Sequence, residues 1–519
     1  MKLSYKKTIL VGFAFFLICA FWQAYDTIVP KILTDKFGMS QSWSGIVMGL
    51  DNIIALFMLP LFGTLSDKCR SRFGRRTPFI LFGTIVAALA LVGLGYVDNL
   101  QRQELTPVIA ATESGDYTAA LGRLYDADLT VTTPGGETVR IQEKFTRAQY
   151  TSIPQEKEDG KVNPEYTDYV VTARQAWAWR ETWANKGNLI LFMAVLLVVL
   201  LAMATFRSPA VALMPDVTIK PLRSKANAVI NLMGTAGGIV ILAFGILFAT
   251  GKWQNALMTY QWFFAAVSGV MLVSLVVFMI FVKEPKLVKE MQEESRRFGI
   301  DESGDEAETT GEKRRLSKEE RRSLILIMAS VMLWFMGYNA VTSKYSVYAG
   351  SVLALDYNTT LTIAMGAAVV AYLPVGIIAS KVGRKKTILA GIIILGCAFT
   401  AAAFMKAGSS LMVMNIFFAL AGIGWATINV NSFPMVVELA SGSDVGKYTG
   451  FYYTASMLAQ TMTPYLSGKL MDVAGMRTLF PYGAVFVFLS FVTMLFVKHG
   501  DSRPTAVKDL EAFDVDVDM

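Results

Sequence analysis

Twelve apolar stretches, each long enough to cross a bilayer, recur along this chain and leave little room for another architecture. They fall at about 8–33, 43–66, 77–97, 189–214, 226–250 and 261–282, and again at about 323–349, 360–380, 387–405, 411–437, 449–470 and 478–497. A hydrocarbon core about 30 Å thick needs roughly 20 consecutive apolar residues in a helix, and backbone in lipid must satisfy its own hydrogen bonds. The expected fold is therefore an all-α membrane protein of twelve transmembrane helices. Only 17% of the 519 residues are charged, where an ordinary soluble domain carries about 25%. The first stretch exceeds the roughly 7–15-residue apolar region of a signal peptide and lacks an A-x-A cleavage pattern, so it counts as a span.

The loops between spans set the orientation. Between spans 2 and 3 the chain places one acid, Asp67, beside five cations, Lys68, Arg70, Arg72, Arg75 and Arg76. Lys and Arg in short loops mark the cytoplasmic side. Lys220, Arg223 and Lys225 after span 4, and Lys381, Arg384, Lys385 and Lys386 after span 8, agree. Both termini are then cytoplasmic, in a chain integral to the inner or plasma membrane. The formal charge of +7 sits in such loops and fits anionic lipid headgroups; nucleic acid is not an expected partner.

The domain plan follows. Residues 1–97 hold the first three helices of an N-terminal bundle, 98–187 a polar extracytoplasmic insert, and 188–282 the rest of that bundle. Residues 283–322 form a charged cytoplasmic linker, 323–497 a C-terminal bundle and 498–519 a cytoplasmic tail. Long polar segments translocate largely regardless of charge, which places the insert outside. Within it, VTTPGGETVRIQ (131–142) has two strand-like runs around a Pro-Gly-Gly turn. Cys19, Cys69 and Cys397 give neither a disulfide framework nor metal-ligand spacing. The single histidine, His499, lies near the end of the last span.

The two halves carry a weak repeat. Leu59-Pro60 precedes Ser66 and the GRR turn, and Leu373-Pro374 precedes Ser380 and GRKK at the same spacing. The turn G-x-L-S-D-x(n)-G-R-R resembles the loop signature of the major facilitator superfamily. Its fuller form, SDKCRSRFGRRTPFI, resembles the version in sucrose and glycoside:cation symporters, as do SPAVALMPD (208–216) and NVNSFPMVV (429–437). The resemblance implies two pseudo-symmetric six-helix bundles and a secondary carrier, not an enzyme. Its function would be proton-coupled symport of a sugar or glycoside, such as a sucrose- or maltose-type di- or oligosaccharide, by alternating access. No cofactor is implied; the partners are a small-molecule sugar and the lipid bilayer, and a monomer is expected.

Two departures qualify this. The arginine that sucrose carriers place before Ala-Leu in span 4 is Val211 here, with Arg207 one turn earlier. The aspartate pair of melibiose-type relatives falls on Ala55 and Leu59, which removes that sodium site, while Asp51 remains one turn outward. Protons are thus expected in preference to sodium. The alternative is a major facilitator exporter or facilitator of another small solute. The insert holds no nucleophile–base pair, metal cluster or phosphate loop to suggest a membrane enzyme.

Ionisable groups within spans cost about 2.5–3.5 kcal/mol on insertion scales and commonly serve a cavity. Asp51 and Asp26 are the candidate proton-coupling carboxylates. Sugar recognition calls for hydroxyl partners and aromatic faces. Trp22, Gln23 and Tyr25 in span 1, Tyr338, Asn339 and Lys344 in span 7, Asn429 and Asn431 in span 10, and Gln460 in span 11 are the candidates. The bland alternative for each is interfacial placement or interhelical hydrogen bonding. Asp67, Arg75, Arg76, Arg207, Asp216, Arg384 and Glu438 are candidates for a latch at moving helix ends, with Asp67 pairing with Arg75 or Arg76, and Arg207 with Asp216 or Glu438, against the alternative of plain topology signals.

Overall fold

The computed structural model describes residues 3–107, 117–158, 160–219, 222–298, 317–437, 439 and 445–499. Among these, twelve helices run for 17 residues or more. In the first half they are α1 (Tyr5–Lys31), α2 (Gln41–Lys68), α3 (Thr77–Glu104), α4 (Gly187–Asp216), α5 (Arg223–Leu247) and α6 (Gln261–Phe281). In the second they are α7 (Lys318–Tyr348), α8 (Tyr357–Val382), α9 (Arg384–Ala402), α10 (Leu411–Val437), α11 (Val445–Ala474) and α12 (Leu479–Leu495). Ten stretches among the described residues are long and apolar enough to cross a membrane; α8 and α11 fall outside that set. The fold is an all-α membrane protein.

Local chemistry sets several helix starts. Ser40 accepts the amide of Trp43 to begin α2. Ser317 and Glu320 form a reciprocal capping box that starts α7 at Lys318, five residues earlier than apolarity indicates. Asp356 accepts from Asn358 N at 2.8 Å to start α8. At the far end of α1 a π-helical turn, Ile32–Lys36, prolongs the span past its expected limit at residue 33. There Lys36 Nζ donates to Asp98 at 2.5 Å with both side chains buried, and Asp98 also accepts the amide of Tyr260 at 2.8 Å. One buried ion pair thus ties α1, α3 and the start of α6 together.

Packing repeats between halves. In the first half α1 packs on α5 and α6, α3 on α4 and α6, and α2 on α4. In the second, α7 packs on α11 and α12, α9 on α10 and α12, and α8 on α10. The halves meet through α2 against α11 and, by the same symmetry, α5 against α8, with α1 facing α7. The α2–α11 seam is very tight. A Cβ on Gly45 would lie 2.0 Å from Pro464 O, and one on Gly468 would lie 2.2 Å from Gln41 O. Small residues allow this close approach of membrane helices.

Between α3 and α4 the chain folds into a small unit with its own core. The strand-like runs pair as an antiparallel hairpin, β1 (Thr130–Thr132) and β2 (Thr138–Arg140), with Val131 opposite Val139. Helices at Tyr117–Asp126 and Thr172–Ala184 pack around it, and Leu121, Leu124, Val131, Ile141, Tyr150 and Val170 form the buried centre. On its surface, Arg147 holds the Asp126 carboxyl below its ordinary value and Arg140 does the same for Asp128. A depressed carboxylate stabilises the fold fully above its unfolded pKa of about 3.9 and loses that contribution as pH falls through the folded value. Protease resistance of the insert is therefore expected to be flat from pH 7 to 5 and to fall only below about pH 4. Limited proteolysis across that range checks it.

Candidate functional site

The basic turn after α2 is a fixed hydrogen-bonded structure. Arg76 contacts Asp67 at 2.5 Å, Asp216 at 2.8 Å and Ser66 Oγ at 2.5 Å, while Arg75 forks onto Asp216 at 2.6 and 3.1 Å. Both Asp67 and Asp216 therefore serve the turn. A residue that sequence reasoning missed anchors it. Glu284, buried at the start of a helix spanning Glu284–Arg297, accepts the amides of Arg75 (2.7 Å), Arg76 (3.0 Å) and Thr77 (2.8 Å), and the Thr77 hydroxyl (2.7 Å). These are orphan donors at the N-terminus of α3, where a carboxylate is also favoured by the helix dipole. Gly74, at φ +109°, leaves the space that the Glu284 carboxylate fills. The second half uses carbonyls instead: Lys385 Nζ donates to Leu495 O (2.9 Å) and Val497 O (2.6 Å), capping α12. Arg384 is the first residue of α9 beside it. Glu438 lies outside the described residues.

At the opposite end the halves are sealed to each other. Asp472 on α11 accepts the amides of Gln41 and Ser42, both at 2.8 Å, and the Ser42 hydroxyl, so it caps α2 from across the interface. Lys344 on α7 donates to Gln41 O at 2.7 Å. Thr250, beyond α5, bonds the Tyr357 hydroxyl and the Asn358 amide of α8 at 2.9 and 3.1 Å. Along α2 the residues near this seal are mostly buried, whereas Leu56, Phe57, Leu61 and Leu65 toward the basic turn are exposed. These contacts between the halves gather at the insert end, and α2 grows more exposed toward the basic end.

Between them lies a cavity of about 370 Å³. Asp26, Asp51, Trp22, Gln23, Arg207, Tyr338, Asn339 and Gln460 line it, drawn from α1, α2, α4, α7 and α11. Arg207 sits over the Trp22 ring at 5.6 Å and within electrostatic reach of Asp51. Asp51 accepts from the Asn52 amide at 2.9 Å. Tyr338 stacks on Trp425 with ring centres 3.7 Å apart and planes 6° from parallel. Asn52, Asn231, Thr235, Thr342, Ser343 and Tyr372 add polar atoms to the wall. Sequence reasoning did not select them, although Asn52 is signalled by its position next to Asp51. Among the described residues no cluster of His, Cys, Asp or Glu could hold a metal ion. The carboxylates of Asp26 and Asp51 are groups there that can take up and release a proton.

Five expectations are corrected by the geometry. Arg207 lines the cavity, and Asp216, one of its two expected partners, is taken by Arg75 and Arg76; the other, Glu438, lies outside the described residues. Tyr25 is turned into the core against Phe21 and Trp22. Lys344 belongs to the seal and not to the cavity wall. Asn431 is buried with its amide donating to Thr427 O within its own helix, and Asn429 is likewise buried off the cavity wall.

Comparison with known proteins completes the identification. The family model for the major facilitator superfamily matches residues 175–372 and 354–515, and that for MFS/sugar transport proteins matches 10–106. Human proton-associated sugar transporter A is 37% identical over 98 residues (19% of this chain, 12% of that protein). Sucrose transport protein SUC3 of Arabidopsis thaliana is 36% identical over 69 residues (13% and 11%), and the putative glycoside/cation symporter YagG of Escherichia coli is 31% identical over 86 residues (16% and 19%). Across the first curated relatives the matched stretches span 11% to 30% of their lengths. The inward-open xylose transporter XylE of E. coli superposes with a TM-score of 0.56 at 14% identity, covering 98% of this chain and 99% of that one. A bacterial homologue of the human lysosomal transporter Spinster, inward-facing, gives 0.56 at 11% identity (96% and 97%). With two matching half-bundles, a basic turn locked at one end and a polar cavity between the halves, the chain belongs to the major facilitator superfamily, within a branch resembling sugar:cation carriers.

Proposed function

We infer that this protein is a secondary active transporter that couples movement of a sugar or glycoside, of the di- or oligosaccharide class, to protons. The observation that carries the reading is the cavity itself. It combines two carboxylates and a guanidinium with amides from Gln23, Asn339 and Gln460 and the stacked Tyr338–Trp425 pair. A saccharide presents paired hydroxyl donors and acceptors and apolar C–H faces, which such amides and rings complement. All twelve long helices cross the membrane, with the insert outside, the linker, tail and both termini in the cytoplasm, and the monomer as the working unit. Alternating access then exchanges the closed end for the open one by rocking the halves about the midplane site.

Counterflow in proteoliposomes tests the substrate class. Vesicles preloaded with an unlabelled mono- or disaccharide are expected to take up the labelled sugar transiently, while nucleoside and amino-acid loads are not. Exchange of a non-sugar solute alone would replace this reading with that of another small-solute carrier.

A further inference from the structure

The insert spans both halves of the transporter at the sealed end. It is anchored to its own half on one side. Gln175 donates to Asp35 at 3.0 Å, Gln101 to Thr182 at 3.1 Å, and the Tyr166 ring meets Trp253 of the α5–α6 loop at 5.5 Å between centres. Gly38, at φ +67°, admits the backbone of Trp179, since a Cβ there would come within 2.2 Å of its nitrogen. On the other side the hairpin tip crosses to the second half. The amide of Arg477, in the α11–α12 turn, donates to Pro134 O at 3.1 Å. Gly136 and Gly475, at φ +91° and +92°, meet backbone to backbone; a Cβ on Gly475 would lie 2.5 Å from Gly136 N. The Tyr166–Val171 segment lies against Ala349–Leu353 of the α7–α8 connection, and the Lys161 side chain reaches Gly408 of the α9–α10 loop.

We propose that the insert is a clasp: its hairpin tip engages the α11–α12 turn only while the insert-side mouth is shut, and it must let go before that mouth opens. The insert core moves with the first half, because its anchors to α1, α3 and the α5–α6 loop are all on that half. Rocking the halves apart at this end therefore draws Pro134–Gly136 away from Gly475 and Arg477. Contacts made in one state and absent in the other bias the equilibrium by their own strength. The clasp thus holds the resting protein open toward the basic face, and lowers its apparent affinity for solute at the insert face by the fraction of molecules left closed there. Arg477 also lies within electrostatic reach of Asp168 of the insert across this contact, so charge complementarity supports the engaged state.

This rests on alternating access but not on the identity of the solute, and its test uses no solute. Spin labels on exposed Lys252→Cys and Lys406→Cys, with the native cysteines replaced, report the separation of the two halves at the insert face in proteoliposomes. The unmodified clasp is expected to give predominantly the short distance. Arg477→Glu, which sets a carboxylate against Asp168, is expected to raise the long-distance fraction severalfold, while Arg477→Lys stays near the parent. In the complementary arm, Gly135→Cys joined to Arg477→Cys by a short bifunctional thiol reagent, with labels of orthogonal chemistry, leaves only the short distance. A Gly135 Cβ would lie 3.9 Å from Arg477 Nη1, so the pair is within reach. An unchanged distribution in Arg477→Glu, or a long distance persisting in the tethered protein, overturns the proposal.

Discussion

Replacing Asp51 with asparagine is expected to abolish uphill accumulation of sugar while counterflow exchange continues. A one-unit pH difference is worth about 1.4 kcal/mol per proton, enough to sustain a roughly tenfold sugar gradient. That work reaches the solute only through a group that gains and loses a proton in step with the conformational change. Asp51 stands in the cavity wall with Asp26 and Arg207 in electrostatic reach, so protonation alters the balance of charge where the halves meet. Asparagine keeps the shape and the hydrogen bonding while removing the titration. The accumulation ratio under an imposed pH gradient should therefore fall from about ten toward one, with labelled exchange at equal sugar on both sides retained. Full uphill uptake by Asp51→Asn would move the coupling role elsewhere, with Asp26→Asn the next variant to measure.

The second large effect concerns stability. Glu284→Ala removes the common acceptor of three backbone amides and one hydroxyl at a buried helix start. Each buried donor left unsatisfied costs about 1–3 kcal/mol, and water at the membrane face recovers part of that, so a loss of about 3–5 kcal/mol is expected. Glu284→Gln keeps an acceptor oxygen and the side-chain volume and should lose roughly half as much. Thr77→Val, which removes only the hydroxyl, should cost about 1 kcal/mol. Thermal unfolding in detergent, followed for all three variants, checks the order. Equal melting of Glu284→Ala and the parent would mean that the turn is held by Asp67 and Asp216 alone.

The large features of the fold were legible because they follow from solvent. Apolar runs of membrane length, cations in short loops and a Pro-Gly-Gly turn between alternating residues each have one cheap structural solution, and the helices and hairpin formed where those signals lie. Side-chain direction was less legible. A helix that is apolar all round carries no stripe to fix its rotation, and one residue turns it by about 100°. Tyr25 and Asp26 are therefore adjacent in sequence but divided between core and cavity. Asn431 is drawn back to the carbonyl of Thr427, four residues earlier, a local bond that no sequence pattern distinguishes from a free amide. Pro215 and Asp216 belong to the last turn of α4, so Arg207 lies more than two turns inward, where it lines the cavity beside Trp22. Glu284 was hidden among the charges of the linker, where nothing local marks one carboxylate as buried.

Coupling of sugar to protons is read out by proton movement on adding sugar. Purified protein is reconstituted in weakly buffered vesicles with a pH-sensitive dye inside and no gradient imposed, and a panel of mono- and disaccharides is added outside. At least one disaccharide is expected to acidify the lumen as it enters, the signal to collapse with a protonophore, and Asp51→Asn to abolish it while still exchanging the same sugar. Sugar entry with no accompanying proton, in protein that exchanges the sugar rapidly, would contradict coupling.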